Sequence, residues 1–259
     1  MILSIDVGIR HLSLCIMSAE NKSNMETFNV HLWDVYNTLD TDEYFCESLQ
    51  KSGKVCGKKC AFKWKNASDQ IYCCKTHLPK EFVKNKKIAK ENIFKKKLIK
   101  DYPLQTIAKI VLTRLQEIYD MHETVFNQLT SIIIEIQPTL NPSMKLVSHI
   151  IYGKLVSLYM DKSVSIKFVR ASQKLKSYTG PAIECKLKGK YAQRKWLSVQ
   201  YTRWFLENKF SKDQKEKWLN NFDSKVTKPD MGDTFLMCIN AICGIPKKQR
   251  TDKNGKCIK

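Results

Sequence analysis

Met1-Ile-Leu-Ser-Ile-Asp6-Val-Gly8-Ile-Arg10, followed by Leu12-Ser-Leu-Cys-Ile-Met17, opens the chain and decides how the rest is read. Two apolar, β-rich runs flank a short segment that contains a glycine, the pattern of a strand, a tight turn and an antiparallel strand. One carboxylate, Asp6, lies inside the first run. Desolvating a carboxylate in a packed strand is costly, so an acid retained there is expected to serve a purpose, and holding a metal ion is a common one. The plainer alternative is that Asp6 caps the turn.

The pattern then continues as an α/β chain. Phe28-Asn-Val-His-Leu-Trp-Asp-Val-Tyr36 alternates as a third strand, giving an antiparallel meander. Residues 37–101 break the pattern and read as an insertion: lysine-rich, with Cys46, Cys56, Cys60, Cys73, Cys74 and His77, and a basic helix-like stretch from Glu81 to Lys100. From Pro103, apolar residues at Ile107, Ile110, Val111, Leu115, Ile118 and Tyr119 have helical spacing. Leu129 to Gln137 is a buried strand ended by Pro138, with Glu135 in its apolar run. Asn141-Pro142 opens a helix through Leu146, Ile150, Leu155 and Tyr159, and Val164 to Arg170 is another strand. Strand, helix, strand implies parallel neighbours joined by a right-handed crossover. A basic loop over 171–189 precedes a helix from Lys190 to Lys209, with Leu197, Tyr201, Trp204 and Phe205 inward and Arg194, Lys195 and Arg203 outward. A last helix opens at Pro229-Asp230-Met-Gly-Asp233 and stops at Gly244-Ile-Pro246, leaving 247–259 as a basic tail.

Composition narrows the partners. The 259 residues carry a formal net charge of +20. Residues 51–100 hold 16 Lys against 3 acids, and residues 186–217 hold 8 Lys and 2 Arg against 3 acids. Two basic clusters on an aromatic-rich chain point to a polyanion, with nucleic acid the default. No apolar run is long enough to span a membrane and no signal peptide is evident, so an intracellular protein with reduced cysteines is expected, and no membrane partner.

The acids then form an ordered set. Asp6 is on the first strand, Glu135 on a later one, and Asp230 and Asp233 are three apart at a helix start. Each alone has a plain reading: Glu135 as an edge-strand acid, the two aspartates as dipole-complementing caps worth about 1 kcal/mol. Converging, four carboxylates would repel one another unless divalent cations neutralise them, and two such cations can hydrolyse a phosphodiester. An actin-like kinase phosphate loop also begins with D-x-G, but Ile9-Arg10-His11-Leu12 brings no second glycine or nearby hydroxyl.

In Ser4-Ile-Asp6-Val-Gly8-Ile-Arg10, Ile133-Ile-Glu135-Ile-Gln137-Pro138, Tyr191-Ala-Gln-Arg194-Lys195 and Lys228-Pro-Asp230-Met-Gly-Asp233-Thr-Phe-Leu236, the chain resembles the Holliday junction resolvases of poxviruses and other large DNA viruses. These are RuvC-like members of the ribonuclease-H-like superfamily. The resemblance covers most of the chain outside 37–101, each motif being short and their joint order more specific. It implies a ribonuclease-H-like mixed sheet of three antiparallel strands followed by parallel ones, flanked by helices. It further implies Asp6, Glu135, Asp230 and Asp233 as catalytic ligands of two Mg2+ ions (Mn2+ substituting), Arg10, Lys190, Arg194, Lys195 and Lys228 as DNA contacts, and a homodimer that nicks four-way junctions in pairs. A viral protein of the host cytoplasm or nucleus follows from the same resemblance. Gly232 departs from it, since relatives often have Ala there.

The insertion is the larger departure. Cys56-x3-Cys60 followed after thirteen residues by Cys74-x2-His77 offers four soft ligands in two pairs, suited to a structural Zn2+ ion, with Cys73 able to replace Cys74 and Cys46 a weaker spare. Such an ion would stiffen a module too polar to fold unaided. His11, His31, His122 and His149 read as core or surface residues, and Trp196, Trp204 and Trp218 as core. The expectation is therefore a nuclease domain over 1–36 and 102–246, an inserted zinc-binding basic module over 37–101 and a tail over 247–259. The reaction expected is Mg2+-dependent endonucleolytic cleavage of branched DNA, as in recombination and repair. The alternatives are a nuclease of the same fold acting on RNA–DNA hybrids and a non-catalytic nucleic-acid-binding protein.

Overall fold

The computed structural model describes residues 1–39, 44–50, 52–66, 69–78, 93, 102–137, 141–244, 250–251 and 257–258. Apart from Ile93, the basic stretch Glu81 to Lys100 lies outside the described residues, as do the two proline stops at 138 and 246 and most of the tail. The chain forms two compact units, one of Met1–Leu39 with Pro103–Lys259 and one of Asp40–Tyr102.

In the first unit, β1 (Ile2–Asp6), β2 (His11–Ala19) and β3 (Phe28–Asn37) form an antiparallel meander. The turn between β1 and β2 needs its glycine, because a Cβ on Gly8 would collide with the His11 carbonyl oxygen. The second unit contains the hairpin of β4 (Phe62–Asn66) and β5 (Asp69–Cys73), which has no counterpart in the sequence reading. The first unit then resumes with helices α1 (Leu104–Met121) and α2 (Glu123–Phe126), strand β6 (Ser131–Glu135), helix α3 (Pro142–Leu158) and strand β7 (Ser165–Val169). Helices α4 (Lys190–Asn208), α5 (Lys212–Ser224) and α6 (Lys228–Cys243) follow, and the two-residue strands β8 (Arg250–Thr251) and β9 (Cys257–Ile258) pair with one another. α5 has no counterpart in the sequence reading.

The main sheet has the order β3-β2-β1-β6-β7, with β6 parallel to β1 and β7 parallel to β6. This is the mixed sheet flanked by helices that the sequence implies. Strand alternation sorts its residues. Ser4 and Ser13 face α6, while Leu3, Ile5, Ile132 and Ile134, on the other face, are also fully buried. The sheet is therefore covered on both sides. On the α6 side the core gathers Trp33, Phe205, Leu206, Phe222, Phe235 and Ile239, with Trp33 stacked 5.2 Å from Phe222. Burying such aromatic and aliphatic groups supplies about 1.5–3 kcal/mol each before the entropy of ordering them is subtracted.

Hydroxyls set the height of α6 over the strands. Ser4 Oγ donates to the Thr234 carbonyl at 2.7 Å, Ser13 Oγ to the Asp230 carbonyl at 3.0 Å, and Trp33 Nε1 to the Met231 carbonyl at 2.9 Å. The crossing of α4 over α6 is close. A Cβ on Gly232 would lie 2.9 Å from Ser198 Oγ and 3.1 Å from both the Ser198 carbonyl oxygen and Thr202 Oγ1.

That contact rotates α4 by one position from the face expected. Its buried residues are Ser198, Thr202, Phe205 and Leu206, whereas Leu197, Tyr201 and Trp204 are only partly buried. The same one-residue slip occurs in α3, which buries Val147, Ile151 and Leu155 and leaves Leu146 exposed and Ile150 partly buried.

Overpacking a tight helix crossing costs about 1–3 kcal/mol, and alanine's better helix propensity returns about 1 kcal/mol. Gly232→Ala is therefore expected to lower stability in urea titrations by about 1 kcal/mol, and Ser198→Ala in the same chain should restore part of it. A Gly232→Ala protein more stable than the wild type would show that α4 does not seat on this glycine.

Candidate functional site

Asp6 and Glu135 end two adjacent parallel strands. The register pairs Ile5 with Ile134, so the two acids leave the sheet side by side at its carboxyl end and on the same face. α6 supplies the other two aspartates, its start fixed by the hydroxyl bonds from Ser4 and Ser13. Carboxylate oxygens of Asp6, Glu135 and Asp233 all lie within 4.8 Å of one another. Asp230 stands outside this group of three and is half-buried.

Two lysines answer the acids. Lys174 follows β7 on a 3-10 helix (Ala171–Ser177), and its Nζ lies 3.1 Å from Glu135 Oε2 and 2.8 Å from Asp233 Oδ2. Lys195 on α4 donates to Asp233 Oδ2 at 2.7 Å and Asp230 Oδ1 at 2.9 Å, and stands 3.9 Å from Asp6 Oδ2. Lys174 is buried, with a side chain only 10 % exposed. Although burial disfavours its charge, Asp233, Glu135 and Asp6 more than offset this and raise its pKa. The same balance, led by burial against Asp233 and Asp6, raises Lys195. Burial first, then the charges of Glu135 and Asp233, hold the Asp6 carboxyl well above its ordinary 3.8 despite both lysines. Asp233 Oδ1 is buried with no hydrogen-bond partner among the described residues.

Four acids meet two lysines directly, three acid oxygens converge, and one buried oxygen has no partner among the described residues. Hard oxygen ligands in this state fit Mg2+, which takes carboxylate oxygens at about 2.0–2.1 Å. The acids open on a cleft of about 460 Å³ that Arg10, His11, Tyr191 and Arg194 also line.

Of the basic residues expected to meet DNA, Arg10 and Arg194 line this cleft, Lys190 is exposed at the start of α4 and Lys228 begins α6. Lys195 differs. It points inward because 195, 198, 202 and 205/206 share one helix face, the one that Gly232 admits. Lys174 was not singled out in the sequence. Its signal is topological: Val169 pairs with Glu135, so the chain leaving β7 must pass the acids, and a lysine five residues on is a natural counter-charge.

In the second unit, Cys46, Cys56, Cys74 and His77 place their ligand atoms within 4.8 Å of one another. Cys60 is outside this group, contrary to the spacing argument; its Sγ donates to the Phe62 carbonyl at 3.0 Å, turned away by the strand it precedes. Cys46 takes the place given to Cys60, and Cys73 is buried beside the group without joining it. Trp218 packs 5.9 Å from Trp33 and Trp204 lies 5.1 Å from Tyr178, so both are packing residues, and Trp196 is half-buried.

No protein-family model matches the chain. An uncharacterized protein of Acanthamoeba polyphaga mimivirus is 27% identical over 92% of the chain, which spans 59% of that relative's length. Among solved structures, Thermus thermophilus RuvC is similar at a TM-score of 0.44 and 11% identity, over 94% of this chain and 96% of that one. The fowlpox virus Holliday junction resolvase is similar at 0.44 and 13%, over 93% and 97%. No described helix is long and apolar enough to cross a membrane.

The raised Asp6 pKa has a measurable consequence. The folded protein holds the Asp6 proton more tightly than the unfolded chain, so in chelator stability falls as pH rises from 3.8 through the raised value. Asp6→Asn should remove that slope and raise the melting temperature in chelator at neutral pH. A variant that melts lower than wild type in chelator would make Asp6 a net stabilising partner of the lysines.

Proposed function

We propose that the chain is a Mg2+-dependent endonuclease acting on branched DNA, with four-way junctions the preferred substrate. The observation that carries this reading is the convergence of Asp6, Glu135 and Asp233 oxygens within 4.8 Å at the end of the sheet. The chain's net charge of +20 supports a polyanionic substrate. The sequence motifs around the acids support a junction over other branched forms.

Asp6, Glu135, Asp230 and Asp233 would hold the magnesium, which when bound supplies Lewis acidity at the phosphate and an acidified water. The protein's own groups arrange the encounter. Arg10 and Arg194 on the cleft face phosphates, with Lys190 and Lys228 extending the grip. Lys174 and Lys195 keep four like charges within reach of one another and fix the rotamers of Glu135, Asp230 and Asp233. Lys195 is thus assigned to the acids rather than to a DNA arm. The nuclease domain is taken as 1–36 with 102–246, the basic module as 37–101 and the tail as 247–259. Action as a homodimer would give paired nicks. The resemblance to viral resolvases and the identity with a mimivirus protein support a viral source.

One observation favours a rival. Two lysines already bind the acids, as in a structural ion-pair network of a non-catalytic binding protein. The test incubates the chain with an immobile four-way junction, a linear duplex and an RNA–DNA hybrid, each with Mg2+ and with chelator. Symmetric nicking of the junction alone is expected, absent in chelator. Losing an outer-shell partner of a metal typically costs 10–100-fold, so Asp6→Asn, which removes a ligand itself, should cost more than about 100-fold while leaving junction affinity intact. Cleavage of the hybrid would make the chain a ribonuclease. Tight junction binding with no cut under Mg2+ or Mn2+ would leave a binding protein.

Arg194→Ala should weaken junction binding and lower the slope of log affinity against log salt by about one. An unchanged slope would remove Arg194 from the interface.

A further inference from the structure

The described core of the second unit is made of sulfur. Its buried members are Cys46, Cys73 and Cys74, with Cys56, Phe62 and Leu78 packed against them. That is little apolar surface among the described residues of a unit spanning Asp40–Tyr102, whose residues 51–100 hold 16 Lys. Units of this size bury too little to be stable on a core alone and are often held by a disulfide or a metal. Cys46, Cys56, Cys60, Cys73 and Cys74 are all free of disulfides.

Backbone geometry explains the gathering. Residues around Cys46 and Cys56 form an irregular antiparallel loop: Cys46 N–H donates to the Lys58 carbonyl at 2.8 Å, Gly57 N–H to the Cys46 carbonyl at 3.0 Å and Cys56 N–H to the Ser48 carbonyl at 2.9 Å. Gly57 has φ +62°, which turns the chain sharply just after Cys56. The β4–β5 hairpin delivers Cys74 at its end, and a 3-10 turn, Lys75–His77, brings His77 back over it. Each of these two elements contributes a pair of ligand atoms.

We propose that Cys46, Cys56, Cys74 and His77 form a tetrahedral structural Zn2+ site at the core of this unit. A tetrahedral ion with Zn–S of about 2.3 Å and Zn–N of about 2.0–2.1 Å requires S···S separations of about 3.8 Å and S···N separations of about 3.6 Å. Cys56 Sγ and Cys74 Sγ are 3.9 Å apart, Cys74 Sγ and His77 Nδ1 3.6 Å, and Cys46 Sγ and His77 Nδ1 3.4 Å. Thiol hydrogen bonds span similar distances, but here they bring all four ligand atoms within 4.8 Å of one another, as a single ion requires. Binding exchanges three S–H protons for one ion, with His77 neutral and its proton on Nε2, leaving a site of charge −1 among lysines. All four positions are protein ligands, so the site is closed and structural rather than catalytic.

The test uses the full chain, purified without chelator, with zinc measured by elemental analysis. One equivalent of zinc is expected in the wild type, none in Cys46→Ser and one in Cys60→Ser. Asp6→Asn should keep its zinc, which separates this site from the acidic cleft and lets either proposal fail without the other. Should Cys46→Ser not fold, Co2+ replacement in the wild type and in Cys60→Ser decides: both should give the visible bands of a tetrahedral three-sulfur site. A wild-type chain that takes up no zinc on refolding with it, or loss of the metal in Cys60→Ser, overturns the assignment.

Discussion

Burying negative charge at the carboxyl end of β1 and β6 is the constraint on which the larger unit depends. Two acids leave adjacent parallel strands side by side, and α6 brings two more. Like charges this close repel by several kcal/mol where water is excluded. The fold meets this with Lys174 from beyond β7 and Lys195 from α4, so segments far apart in sequence must converge. The seat of α4 on Gly232, the hydroxyls of Ser4 and Ser13 and the indole of Trp33 then follow as the means of holding α6 in place.

Much of this was legible from the amino acids. The meander, the parallel additions and the positions of Asp6 and Glu135 come from strand periodicity interrupted by carboxylates, a strong local signal, and Asp230 and Asp233 come from the start of the last helix. Helix faces were harder. α3 has apolar residues on both sides, Ile150 next to Ile151, so periodicity alone does not choose between Leu146/Ile150 and Val147/Ile151. On α4 the large residues mislead: Leu197, Tyr201 and Trp204 look like the core face, while the buried face is led by Ser198 and Thr202. A close helix crossing selects small residues, and that demand is set by Gly232 thirty positions away. Misreading the face is what turned Lys195 outward.

The cysteine module shows the same division. Pair spacing identifies Cys74-x2-His77, because two ligands one short turn apart form a local unit. It fails for Cys60, because membership is settled by strand geometry: the Sγ of Cys60 bonds the Phe62 carbonyl, and Cys46 reaches the group through a backbone pairing of residues ten or more apart. The β4–β5 hairpin was legible only in part: Phe62-Lys63-Trp64-Lys65 alternates apolar and polar residues as a strand does, whereas Asp69-Gln-Ile-Tyr-Cys73 does not.

The acidic cluster is also an argument about purpose. Replacing a buried ion network with well-packed apolar groups is often neutral or stabilising by about 1–4 kcal/mol. A chain selected for stability alone has no reason to keep Asp6 with its carboxyl held toward the protonated form, or Asp233 with a buried oxygen that has no partner among the described residues. Both features are unfavourable in the protein by itself and become favourable once a divalent cation is bound. Lys174 and Lys195 moderate the repulsion without removing it, because of the described lysines only these two pair directly with the four acids. Such a site is rigid through its lysines and still short of positive charge, which favours a ligand-binding role over a purely structural one.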